Sequence, residues 1–119
     1  MAKDGEGPSL REGPVTKLDI RKVLDISTGH LPQAMCDAVE QDSDLAVYKH
    51  PDGFGYIVAI PMYLEKENEY DEQLSTHLRE RFGNAFVNIL ERALAEGCWA
   101  VNFDRDAYKY EDLFPLFEW

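Results

Sequence analysis

The sequence predicts an α+β domain whose elements follow the order β-α-β-β-α-β. Three observations carry that expectation. Short runs with alternating apolar residues recur at 22–27, 45–49, 54–60 and 99–103, a wide apolar stripe at helical spacing fills 74–94, and His50-Pro51-Asp52-Gly53 supplies hairpin turn residues between the two middle runs. The simplest compact solution is one antiparallel sheet with both helices on one face, the ferredoxin-like plait.

Residues 1–14, with three Gly, two Pro and only Leu10 as a large apolar residue beyond the initiator, read as a flexible tail, which leaves 15–119 as a single domain. In the first strand, 22–27, Leu24 and Ile26 share one face and Val23 takes the other. Pro32 suits the first position of a helix, and Leu31, Met35, Ala38 and Val39 recur at helical spacing, so a short amphipathic helix is expected over 32–41. The polar cluster Gln41-Asp42-Ser43-Asp44 ends it. In the run 54–60, Tyr56, Val58 and Ile60 alternate with Ile57 and Ala59, so both faces are apolar enough for a central strand. "EKENEYDE" at 65–72 reads as a solvated connection. The long helix that follows carries Leu74, Leu78, Phe82, Ala85, Phe86, Ile89, Leu90, Ala93 and Leu94 on one stripe, with Gly97 as its C-cap. Trp99, Val101 and Phe103 alternate with Ala100 and Asn102 in the last strand, and the aromatic end "YEDLFPLFEW" is expected to pack back on the domain.

Charge narrows the functions. The chain has 12 Lys plus Arg against 23 Asp plus Glu, a net charge of −11. Lys3 and Arg11 against Asp4, Glu6 and Glu12 give the tail −1, which leaves −10 on the domain. Direct nucleic-acid binding is not expected, because phosphate-backbone binders need a positive footprint, and an anionic membrane would repel the chain. No run approaches the ~18 consecutive apolar residues of a membrane span. The N-terminus lacks the apolar core of a secretory signal, so a cytoplasmic protein with Cys36 and Cys98 as free thiols is expected. Neither "GFG" at 53–55 nor "GPVTK" at 13–17 has the spacing of a phosphate loop.

The predicted topology sorts the polar groups into two ends. If the first strand runs up and the last runs down, His30, His50 and Cys98 lie at the top with Ser27 and Thr28. Asp104 and Asp106 then exit at the bottom, beside Glu65, Glu67, Glu69, Asp71, Glu72 and His77. A strand of five or six residues spans about 17–20 Å, so His30 and the two aspartates are expected to be too far apart for a catalytic dyad. In "FDRD" an extended chain would put Asp104 and Asp106 on one side and Arg105 on the other. The top set lacks the paired spacing of a zinc site and any nucleophile elbow, and the acidic set lacks an EF-hand loop, so no metal and no cofactor are expected.

"DISTGHLP", "GCWAVNFDRDA" and the closing "LFPLFEW" resemble a family of short uncharacterised proteins carried by phages, plasmids and related bacterial elements. The closing patch departs from the family's Leu-Pro pattern, with Phe114-Pro115 followed by Leu116-Phe117-Glu118-Trp119. The resemblance implies a bacterial accessory protein and points first to Thr28, His30, Asp104 and Asp106.

The function expected is therefore that of a small, acidic, non-enzymatic accessory protein. It would bind a basic protein partner through Glu65, Glu67, Glu69, Asp71 and Glu72, with mimicry of nucleic-acid charge as one variant. The alternative is a small hydrolase or metal-dependent enzyme around His30, in which His50 and a cysteine would converge with it. A homodimer is also open, with Tyr48, Tyr56 and the aromatic tail covering the bare face of the sheet.

Overall fold

A computed structural model of the chain describes residues 18, 20–42 and 44–117. The expected tail, 1–14, and the last two residues lie outside the described residues. Strands β1 (Lys22–Ser27), β2 (Val47–Lys49), β3 (Gly55–Ala59) and β4 (Cys98–Asp104) alternate with helices α1 (Gln33–Gln41) and α2 (Glu69–Ala95) in the predicted order. Single 3₁₀ turns, Thr28–His30 and Met62–Glu65, follow β1 and β3. Helix α2 begins before its apolar stripe because Asn68 caps it, accepting the Asp71 N–H at 2.9 Å, and Glu69, Asp71 and Glu72 suit the positive end of the helix dipole. Part of the acidic run read as a connection is thus the first turn of a helix.

The strand order is β1-β4-β3-β2, with β1 and β4 parallel and the other two pairings antiparallel. The sheet is therefore mixed, and the antiparallel ferredoxin-like plait is not the arrangement found. The cause is one residue inside α2. Gly83 has φ 84° and ψ 164°, a conformation nearly closed to residues that carry a Cβ. It breaks α2 into arms 69–82 and 84–95. Arg79 of the first arm donates to Asn84 and Asn88 of the second at 2.9 and 3.0 Å, and Lys66, just before α2, pairs with Glu91 at 2.9 Å. An unbroken helix, rising ~1.5 Å per residue, would carry Glu91 about 33 Å from Glu69. The arms fold back on one another instead, and the chain re-enters the sheet at the end where β3 left it. Ala59 pairs with Ala100 there and Lys22 with Cys98, so β4 runs alongside β1 in the same direction.

Strand alternation sets the core. Leu24 and Ile26 of β1, Tyr56 and Val58 of β3, and Val101 and Phe103 of β4 are register neighbours on one face. Phe103 stacks against Phe86 of α2 with centroids 6.0 Å apart and lies 5.5 Å from Tyr56, whose hydroxyl meets Cys36 of α1 at 3.0 Å. Both helices thus cover the same face, and burial of each such aromatic contributes about 1.5–3 kcal/mol. Tyr56, expected to help cover the bare face, is a core residue at 2% exposure. Tyr48 remains exposed.

Beyond β4 the chain turns at Asp104, whose Oδ1 accepts the Asp106 N–H at 2.9 Å and whose carbonyl accepts that of Ala107 at 3.1 Å. The extended "FDRD" expected from the sequence is not formed. The tail then crosses the edge strand: Ser27 N–H donates to the Tyr108 carbonyl at 3.1 Å, and Phe117 N–H to that of Gly29 at 2.8 Å. Tyr110 and Phe114 pack against the core, so the aromatic end docks on the domain as far as Phe117.

Candidate functional site

Because β1 and β4 are parallel, their carboxyl ends lie together, with Ser27 opposite Asp104 and Gly55 opposite Asp104 on the other side. This reverses two placements made from the predicted topology. Asp104 and Asp106 belong to the end that holds Ser27, Thr28, His30 and His50, while Cys98 lies at the opposite end beside Lys22. The distance argument against a His30–aspartate dyad therefore falls. The acidic group expected at the bottom also divides, since 65–72 follows the far end of β3.

His30 is excluded as a general base by its hydrogen bonds instead. It is fully buried, its Nε2 accepts the Tyr110 N–H at 2.8 Å, and its Nδ1 lies 2.8 Å from the Pro115 carbonyl oxygen. An acceptor at Nε2 and a carbonyl at Nδ1 require the Nδ1–H tautomer. Neither nitrogen is left to take a proton from a substrate. The Phe114 ring lies 5.9 Å away, edge-on, and completes the seat. His30 is the pin that holds the C-terminal tail.

His50 joins a different chain of contacts. Its Nε2–H donates to Asn102 Oδ1 at 2.6 Å, and Asn102 Nδ2 donates to Asp25 Oδ1 at 2.9 Å. The three side chains tie β1, β4 and the hairpin together across the face that the helices leave open. A shallow depression beside them is lined by Asp25, Asn102, Asp104, Asp106, Tyr108 and Tyr110. Among the described residues, no group of three or more His, Cys, Asp or Glu side chains stands close enough to hold a metal ion.

A cleft of about 240 Å³ opens between α1 and the hairpin, lined by Thr28, Cys36, Asp37, Glu40, Tyr56 and Arg105 among others. Gly55 sits in its wall because a Cβ there would come within 2.1 Å of the Phe103 carbonyl oxygen. Neither histidine lines this cleft, so His30, His50 and a cysteine do not converge. Burial pushes the Cys36 thiol up, Glu40 and Asp37 add to the rise, and the hydrogen bond to Tyr56 opposes it. Burial, first, and then Cys36 itself push the Tyr56 phenol up as well. Both groups are neutral at pH 7, which makes Cys36 a poor nucleophile. Iodoacetamide at pH 8 is accordingly expected to leave Cys36 unmodified in the folded protein. Tyr56→Phe removes the one contact that opposes the thiol's rise, so labelling stays slow while stability falls by about 0.5–1.5 kcal/mol. Native labelling at the rate of a free thiol would contradict this.

At the far end the carboxylates crowd. Lys66, the cation inside the acidic run, is drawn away to Glu91, which also pairs with Arg79. Glu65 is pushed above the usual carboxylate range by its hydrogen bond to Glu67, with the charges of Glu67 and Asp71 adding to the effect. Glu69, Glu72, His77 and Glu80 line one shallow surface along the first arm of α2. Elsewhere, Arg81 is taken up by Asp42 and Asp44, and Arg92 by Glu96.

Sequence reasoning missed Gly83, Tyr56 as a polar partner, and Arg105, which stacks on Phe54 and has no carboxylate partner among the described residues. A signal existed for the first: Gly83-Asn84 interrupts an otherwise good helix former with two breakers. The other two depend on contacts between distant elements.

The arrangement defines a small α+β domain with a four-stranded mixed sheet, helices on one face and polar groups gathered at the carboxyl ends of two parallel strands. The chain belongs to the family of unknown function DUF5983, whose C-terminal domain it matches over residues 23–119. No curated protein and no solved structure matches it. Among the described residues no helix is long and apolar enough to cross a membrane.

Proposed function

We propose that this chain is a small non-enzymatic accessory protein that binds a basic protein partner through the edge formed by 65–72 and the first arm of α2. The observation that carries the reading is the charge of that edge, uncompensated among the described residues: Lys66 is turned to Glu91, and Glu65 is held above the usual carboxylate range by Glu67. A cationic partner relieves that repulsion, so electrostatic attraction both steers the encounter and favours the complex. Where the partner is a DNA-binding protein, the edge acts as a mimic of nucleic-acid charge, and duplex DNA competes for it. The motifs that resemble phage- and plasmid-borne proteins fit an accessory role of this kind.

The test compares two multiply substituted chains in affinity capture from a bacterial lysate. Neutralising Glu65, Glu67, Glu69, Asp71 and Glu72 to their amides is expected to release the captured partner. Neutralising Asp52, Glu111 and Asp112, which lie elsewhere, is expected to retain it. Raising salt from about 0.05 to 0.5 M shortens the Debye length from roughly 14 to 4 Å and is expected to weaken the complex at least tenfold. Capture that survives both the neutralised edge and high salt would refute the proposal.

A further inference from the structure

We propose that the cleft beside the carboxyl ends of β1 and β4, lined by Thr28, Arg105 and Lys109, binds an oxyanion of the phosphate class. Thr28 carries the argument. It is 7% exposed, yet its hydroxyl has no hydrogen-bond partner among the described residues. Native interiors seldom leave such a group unpaired. The neighbouring Ser27 is satisfied, since its Oγ accepts the Gly29 N–H at 3.1 Å.

Thr28 and Arg105 line both the cleft beside Cys36 and an adjoining one of about 270 Å³, whose other walls are Ser27, Gly29, Lys109 and Phe117. Two cations on this second cleft lack a carboxylate partner among the described residues, although the chain carries −11 overall. Arg79, Arg81, Arg92 and Lys66 are all paired. The Arg105 guanidinium lies 4.0 Å over the Phe54 ring, a stacking that orients its plane and leaves its N–H edge available. A hydroxyl from the turn after β1, with a guanidinium and an ammonium from the segment after β4, matches the charge and the tetrahedral oxygens of a phosphate better than a planar carboxylate. The place also suits a ligand, because open sheets with parallel strands bind theirs beyond the carboxyl ends of those strands. Asp37 and Glu40 line the adjoining cleft on the other side of Thr28, so the remainder of the ligand is neutral or cationic. The site is at the opposite end of the sheet from the acidic edge and does not depend on it.

Titration of the ¹⁵N-labelled full chain with inorganic phosphate, against chloride at constant ionic strength, tests the site. Saturable shifts are expected at the amides of Thr28, Gly29, Arg105 and Lys109. Arg105→Gln combined with Lys109→Gln should weaken binding roughly tenfold or more, as expected for loss of charge-assisted hydrogen bonds. Thr28→Val keeps the shape and should weaken binding several-fold with a melting temperature unchanged or higher, which separates loss of the donor from loss of the fold. Shifts that do not saturate, or that persist in the double variant, would overturn the proposal. Acetate binding as tightly as phosphate would overturn its ligand class.

Discussion

His30→Ala is expected to lower stability by roughly 3–5 kcal/mol and to free the C-terminal tail. The substitution removes a fully buried side chain and leaves a cavity. It also strands the Tyr110 N–H and the Pro115 carbonyl, both now bonded to the ring at 2.8 Å, and an unpaired buried group costs about 1–3 kcal/mol. For a domain of this size the melting temperature should fall by roughly 10–20 °C. The loss is local in origin, so amide exchange in 108–117 should rise before that of α2 and β4. His30→Phe separates the two causes: it refills the volume, recovers part of the stability and still leaves the tail unpinned. Unchanged melting and unchanged tail protection in His30→Ala would mean that the histidine is not the pin, and would return it to consideration as a reactive group.

Gly83→Ala should cost about 1–3 kcal/mol through backbone strain, because φ 84° with ψ 164° is all but reserved for glycine. Packing does not add to it, since a Cβ there would meet only the Met35 sulfur at an ordinary 3.9 Å. A larger effect follows from the alternative that the mutation favours. Alanine is the best helix former and suits a straight helix through position 83. A straightened α2 carries its second arm and β4 away from their own sheet, where they can pair with the complementary elements of a second copy. The expected outcome is a melting temperature lowered by roughly 4–12 °C together with a swapped dimer that grows with concentration. Light scattering after size exclusion, with thermal melts of each fraction, reads both. A monomer that melts within a degree of the native chain would show that Gly83 is not what turns the helix.

Much of the fold was legible because its signals are local. Pro32 lies at the start of α1, and His50, Asp52 and Gly53 make the predicted hairpin turn, with His50 N–H donating to Gly55 at 2.9 Å and Phe54 N–H to Asp52 at 2.9 Å. Tyr56 and Val58 of β3 and Val101 and Phe103 of β4 face where their periodicity placed them, but Trp99, expected on the face of Val101 and Phe103, is 41% exposed, because the pairing of β1 with β4 shifts register between Lys22 and Val23. The candidate site was less legible. Thr28, His30, His50, Asp104 and Asp106 were named from residue type, yet their grouping into ends followed from an assumed strand direction, and that direction was wrong for β4. Asn102 showed itself only as a lone polar residue in an apolar strand. Its partners, His50 and Asp25, come from two other elements that no spacing in the chain connects.

The amino-acid pattern by itself determined the class, the order of six elements, most of their apolar faces, and the strongly acidic balance of the chain. Periodicity and turn chemistry act over a few residues, so they survive reading in one dimension. Only the tertiary structure decided which ends meet. That choice rests on a single positive φ at Gly83, which folds α2 back and sends β4 along β1, bringing Ser27 beside Asp104 and parting both from Cys98. One backbone angle reverses a whole strand, because strand direction is a global property set by where the chain re-enters the sheet.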